Sequence, residues 1–152
     1  MSCNCANYTN ALTTFSDVRE RCEHSADIAA TLDVVITDAT LWASVMRCHV
    51  CESIWAREYP FSEMHGGGPA CFYHITTTDF AGWLASKSGL TTRLRRAHED
   101  QSLFATFGEE IGPELCRHPD CAHRHIQFSV MCRLHHFEMI TKRAYPYATN
   151  EA

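Results

Sequence analysis

Cysteine and histidine dominate the chemistry open to this chain, with nine of the first and ten of the second against only two lysines. In order, the cysteines fall into three sets, each closed by a histidine. The first is Cys3, Cys5, Cys22 and His24; the second is Cys48, Cys51, Cys71 and His74; the third is Cys116, Cys121, Cys132 and His135. A tetrahedral zinc ion takes four such donors, and two close pairs joined by a longer loop supply them. The second and third sets have the most regular spacing, C-x2-C…C-x2-H and C-x4-C…C-x2-H. The partition uses every cysteine and predicts two or three Zn(2+) per chain. Two alternatives stay open: His136 competes with His135, and ligands from different sets can cross to share an ion.

Disulfides explain these cysteines less well. Nine is odd, so an intrachain framework leaves one thiol over. The N-terminal residues Met1-Ser2-Cys3-Asn4-Cys5 lack the basic and apolar regions of a secretory signal. The expected location is therefore intracellular, cytoplasm or nucleus, where clustered thiols bind metal more often than they cross-link. No apolar stretch approaches the roughly 20 residues of a membrane span, so no membrane partner is expected.

Four protein ligands close a zinc site and leave no position for an activated water. The sites are expected to be structural and the protein is not expected to be an enzyme. His136-Phe137-Glu138 contains the H-x-E of zinc deaminases, but no P-C-x-x-C follows it. Gly66-Gly67-Gly68 is not followed by the Lys-Ser/Thr of a phosphate loop. A zinc-dependent hydrolase is the least favoured alternative.

The formal charge is −5, from thirteen basic and eighteen acidic residues. The balance is uneven: residues 117–143 hold Arg117, Arg124, Arg133, Lys142 and Arg143 against Asp120 and Glu138. These five cations are the candidate nucleic-acid contacts, since phosphate binding needs clustered Lys and Arg. The acidic remainder suits a basic partner protein.

Hydrophobic period and capping residues predict the elements that carry these ligands. Ser16 or Asp17 begins a short helix, and Ser25 begins another through Ile28, Leu32, Val35 and Ile36. Leu41, Val45, Met46, Trp55 and Tyr59 read as one long helix from Asp38 to Pro60, which sets Cys48 and Cys51 on one face. Residues 70–76 read as a strand, 79–87 and 92–107 as helices, 124–130 as extended chain, and 132–143 as a helix. Trp42, Trp55, Trp83, Phe104, Phe107, Phe128 and Phe137 are the expected core aromatics.

From Cys116 to Glu138, the C-x4-C turn, extended stretch and C-x2-H-H-F-E resemble the zinc element of small cysteine-rich proteins of plant positive-strand RNA viruses. The resemblance covers this segment alone. It implies that Cys116, Cys121, Cys132 and His135 are metal ligands. It also implies a non-enzymatic accessory protein, a suppressor of RNA silencing contacting RNA or a host protein.

Together these readings predict one domain over 1–152, with sub-elements 1–36, 38–107 and 112–146. The expected fold is mainly α with short β segments: a small zinc-stabilised α+β domain with treble-clef or zinc-ribbon-like elements. The expected function is binding of RNA or a partner protein. An alternative is an intracellular microbial interaction or inhibitor module stabilised by structural zinc.

Overall fold

The structure is a computed structural model that describes residues 2–64 and 66–147. The chain divides into two compact units, residues 1–96 and 97–152.

The first unit is built on a four-stranded antiparallel sheet in the order β1 (Leu32–Asp38), β2 (Ala43–Cys48), β3 (Ile54–Glu58) and β4 (Cys71–Ile75). This sheet overturns the expectation of a mainly helical fold, and no zinc ribbon is seen among the described residues. The segment predicted as one helix from Asp38 to Pro60 is the β2–β3 hairpin, with Val45 opposite Ala56 and Met46 opposite Trp55. Only the start of the predicted Ser25 helix forms, as α2 (Ser25–Ala29), before the chain enters β1.

The reason is burial on both faces of the sheet. Ala43, Val45, Ala56, Cys71, Tyr73 and Ile75 face one cluster with Leu12, Val18, Cys22, Trp83 and Leu84. Met46, Cys48, Trp55 and Phe72 face another with Cys5, Ile28 and Leu32. A strand covered on both sides reads as a continuous apolar run without the alternation that marks a half-exposed strand.

Helix α1 (Phe15–Glu23) packs on β4, and α3 (Phe80–Lys87) packs on β1 and β2. Thr14 caps α1 and accepts from the Asp17 amide, while Asp17 accepts from the Thr14 amide, a reciprocal capping box. Asp79 caps α3 through the Gly82 amide. Glu58, 3% exposed on β3, accepts from the Tyr73 hydroxyl at 2.7 Å, the Thr91 amide and hydroxyl at 3.0 and 2.8 Å, and the Gly89 amide at 2.6 Å. Its carboxylate thus satisfies donors at the start of α4 (Leu90–Ala105), where the helix dipole favours negative charge.

In the second unit the regular elements are few. Helix α5 (Arg133–Thr141) opens at Cys132 and ends at Lys142, which takes the left-handed C-cap conformation at φ +61°. The stretch 124–130, expected as extended, contributes one bridge, Leu115 to Arg124, and the backbone pairs Gly112 N–H to His125 O, His125 N–H to Glu114 O and Arg117 N–H to Val130 O. Phe104, Phe137 and Tyr145 pack together, with Phe104 and Tyr145 stacked at 4.0 Å.

Of the expected core aromatics, Trp55, Trp83, Phe104 and Phe137 are buried. Phe107 is half-buried. Trp42 and Phe128 are not core: they are 47% and 97% exposed, and both sit at positive φ in turns. Gly67, at φ +71°, passes so close to the Trp42 ring that a Cβ would lie 2.8 Å from it.

Candidate metal centres

The first centre gathers Cys3, Cys5, Cys48 and Cys51, whose sulfurs all lie within 4.8 Å of one another. Cys48 ends β2 and Cys51 sits in the hairpin turn, where the Cys48 amide donates to Ser53 O and the Glu52 amide to Cys48 O. The Val50 amide points at Cys48 Sγ from 3.4 Å, so the turn itself solvates a thiolate. Ser53 Oγ lies 3.0 Å from Cys51 Sγ and accepts from the Trp55 indole at 2.8 Å. The other pair comes from the N-terminal arm, where Cys5 opens a 3-10 turn, Cys5–Tyr8. Arg21 on α1 holds that arm down: it is 7% exposed and donates to the carbonyls of Tyr8, Asn10 and Phe72.

The second centre gathers Cys116, Cys121, Cys132 and His135 within the same limit. Tetrahedral metal–sulfur bonds of about 2.3 Å place two sulfurs about 3.8 Å apart. Cys121 Sγ and Cys132 Sγ are 3.8 Å apart. His135 Nδ1 lies 3.4 Å from Cys116 Sγ and 3.2 Å from Cys132 Sγ, so Nδ1 is the donor facing the sulfurs. The His118 amide approaches Cys116 Sγ at 3.5 Å, two residues on, as Val50 does for Cys48. Glu110 supports the centre from outside, accepting from the Arg133 amide at 2.8 Å and lying 3.0 Å from His123 Nδ1. Of the two rival histidines, His135 faces the cysteines, whereas His136 Nδ1 lies 3.0 Å from Ser129 Oγ.

The electrostatics of both clusters are compatible with a bound cation. Burial works to raise Cys48, but the Thr31 hydroxyl, the Cys51 and Val50 amides and the Cys5 thiol outweigh it and hold Cys48 down to about 6. Burial, with the neighbouring thiols, pushes Cys5 up to about 12. In the second centre burial and the neighbouring thiols likewise push Cys132 up to about 12, while backbone amides hold Cys116 below the ordinary thiol range. Crowded thiols therefore cannot all ionise together unless a metal ion compensates them. Burial and His118 lower His135, which favours the neutral imidazole a metal needs.

The sets drawn along the chain are thus regrouped in space. Cys116, Cys121, Cys132 and His135 are together as the spacing has them. Cys3 and Cys5 join Cys48 and Cys51, the crossing of sets that spacing left open. Cys22 and Cys71 lie elsewhere, buried in the cluster between α1 and the sheet. His24 caps the end of α1 with its ring against Tyr8, and His74 on β4 meets the Trp55 ring edge-on. A further group, His118, His135 and Glu138, shares His135, and the His118 and His135 rings stack at 3.7 Å.

Three of the five candidate nucleic-acid contacts are engaged inside the second unit. Arg124 donates to the carbonyls of Gly112 and Pro113. Arg133 donates to Phe104 O and lies over the Phe104 ring at 4.3 Å. Arg143 pairs with Asp100 through both nitrogens and covers Phe137. Arg117 and Lys142 are exposed.

The supporting residues Thr31, Ser53, Arg21 and Glu110 carry no spacing signal in the sequence; only the fold brings them to the ligands. The described residues include no helix long and apolar enough to cross a membrane. Comparison with protein-family models, curated proteins and solved structures finds no match.

Proposed function

We propose that this is a non-enzymatic zinc-binding protein with two structural ions that shape a surface for a partner macromolecule. One ion is held by four cysteines, the other by three cysteines and a histidine. The observation that carries the reading is that each centre draws all four donors from the protein. A closed set leaves no ligand position for water or substrate. The thiolate-rich donor sets favour zinc over hard cations such as magnesium or calcium.

A protein partner is favoured over RNA. Arg124, Arg133 and Arg143 are committed to internal carbonyls and to Asp100. Residues 97–152 also hold more acidic than basic side chains. A role as a viral accessory protein and silencing suppressor rests on the Cys116–Glu138 spacing alone, which the clustering of its four ligands supports.

Native mass spectrometry of protein purified without chelator tests the metal reading. We expect two zinc ions per chain, one lost in Cys51→Ser and the other in Cys121→Ser. Metal-free protein that is nevertheless folded over residues 112–141 would overturn it. Titration with labelled RNA tests the partner class. No shift at low salt supports a protein partner, and a salt-sensitive shift lost in an Arg117→Ala, Lys142→Ala double variant would restore RNA.

A further inference from the structure

The two metal centres use seven of the nine cysteines. The remaining two are Cys22 on α1 and Cys71 on β4, which belong to the same apolar cluster where helix packs on strand, and each thiol shifts the ionisation of the other. Cys71 Sγ also lies 3.9 Å from Val18 O, one helical turn before Cys22. Cys71 is fully buried, whereas Cys22 lies in the wall of an open, largely apolar cavity of about 350 Å³, lined also by Arg19, Glu23, Phe61 and Pro69. Cys22 therefore borders a space that admits a small molecule, whereas Cys71 has no surface exposed to solvent.

From this arrangement we propose that Cys22 and Cys71 form a redox site that reacts with hydroperoxides, Cys22 as the attacking thiol and Cys71 as the resolving one. This is separate from the metal centres and does not depend on them. The Cys71 thiol favours thiolate at Cys22, lowering it against the opposing effects of burial and Glu23, while Cys22 and burial raise Cys71. That asymmetry agrees with the order of attack that the cavity sets.

In the first step Cys22 thiolate attacks the outer peroxide oxygen and the O–O bond breaks. The leaving oxygen takes up a proton and departs as alcohol, or as water from hydrogen peroxide, and Cys22 becomes a sulfenic acid. In the second step Cys71 sulfur attacks Cys22 sulfur and the S–O bond breaks. The hydroxide leaves as water with the Cys71 proton, and a disulfide remains. The two sulfurs lose two electrons, and the peroxide gains two. The product ties α1 to β4 across the core.

The test treats the zinc-loaded full chain with stoichiometric hydrogen peroxide, then alkylates, digests and maps the peptides, with released zinc followed by a chromogenic chelator. The expected result is a Cys22–Cys71 cross-link, with loss of two hydrogens, formed before zinc appears in solution. Zinc release and disulfides among the centre cysteines, with Cys22 and Cys71 still alkylatable after denaturation, would overturn the proposal. Two variants check the order of attack. Cys71→Ser is expected to accumulate sulfenic acid at Cys22, trapped by a 1,3-dione, and Cys22→Ser to leave Cys71 unlabelled. Labelling of Cys71 in Cys22→Ser, or none at Cys22 in Cys71→Ser, would overturn it. Zinc content shows that each variant remains folded.

Discussion

At the scale of single residues, the side chains that decide this protein's chemistry are those that hold other groups still. Arg21 buries a guanidinium to bond three carbonyls, two of them in the arm that carries Cys3 and Cys5. A charge buried that deeply is tolerated because its hydrogen bonds are satisfied. These bonds tie the arm, which carries half of the four-cysteine set, to α1 and to Phe72 on β4. Replacing it with methionine keeps much of the packing and removes the bonds. Support of this kind outside the ligands is typically worth about 10–100-fold in metal affinity. Arg21→Met is therefore expected to weaken zinc at the four-cysteine centre by about tenfold or more and to leave the centre closed by His135 unchanged. Competition with a chromophoric chelator reads both affinities. Equal weakening at the two centres would show that Arg21 acts only through general stability.

At the scale of elements, what was legible in the sequence depended on how local its cause was. The Cys116–His135 set spans 20 positions and is held by a turn, one bridge and the first turn of α5, so spacing alone groups it correctly. Cys3 and Cys5 meet Cys48 and Cys51 only because the sheet register and Arg21 deliver the arm to the hairpin, and no spacing rule encodes that. The α3 cap at Asp79 and strand β4 were legible for the same local reason. Strands β2 and β3 were not, because burial on both faces removed their alternation. Cys22 and Cys71 show the converse: they follow the apolar period of α1 and β4 and behave as core, not as ligands.

Helix α1 carries a pH dependence that its capping box makes explicit. Amides of Thr13 and Thr14 and the Thr13 hydroxyl hold Asp17 down to about 2. A carboxylate depressed in the folded state contributes stability that is fully present above its unfolded value near 3.8 and is lost as pH falls through about 2. In Asp17→Asn that contribution disappears at every pH. The stability difference between wild type and variant is therefore expected to be constant above about pH 5 and to shrink between about pH 4 and 2. Taking the difference cancels acid release of metal, which both proteins share. A gap that stays constant down to pH 2 would show that Asp17 keeps its ordinary affinity for protons.

For the whole molecule, the two units depend on metal to different degrees because their cores differ. Residues 1–96 enclose a sheet between two apolar clusters, with Trp55, Val45 and Val18 fully buried. In that unit the four-cysteine centre closes only the N-terminal arm onto the hairpin. Among the described residues from 97 to 147, the buried apolar side chains are Phe104, Ile126, Phe137 and the ligands Cys116 and Cys132. On the proposed metal reading, a segment with so small a core draws its folding energy from the ion, and a structural zinc ion supplies roughly 10–16 kcal/mol in comparable small elements. Chelation is therefore expected to abolish amide-exchange protection at Gly112, Cys116, Arg117 and His125 and along α5. Protection through β2, β3 and β4 is expected to persist. Cys121→Ser should reproduce the loss in the second unit without chelator, and Cys51→Ser should not. Protection kept over 112–141 in metal-free protein, or lost across the sheet at the same chelator concentration, would contradict this division of labour between apolar burial and metal.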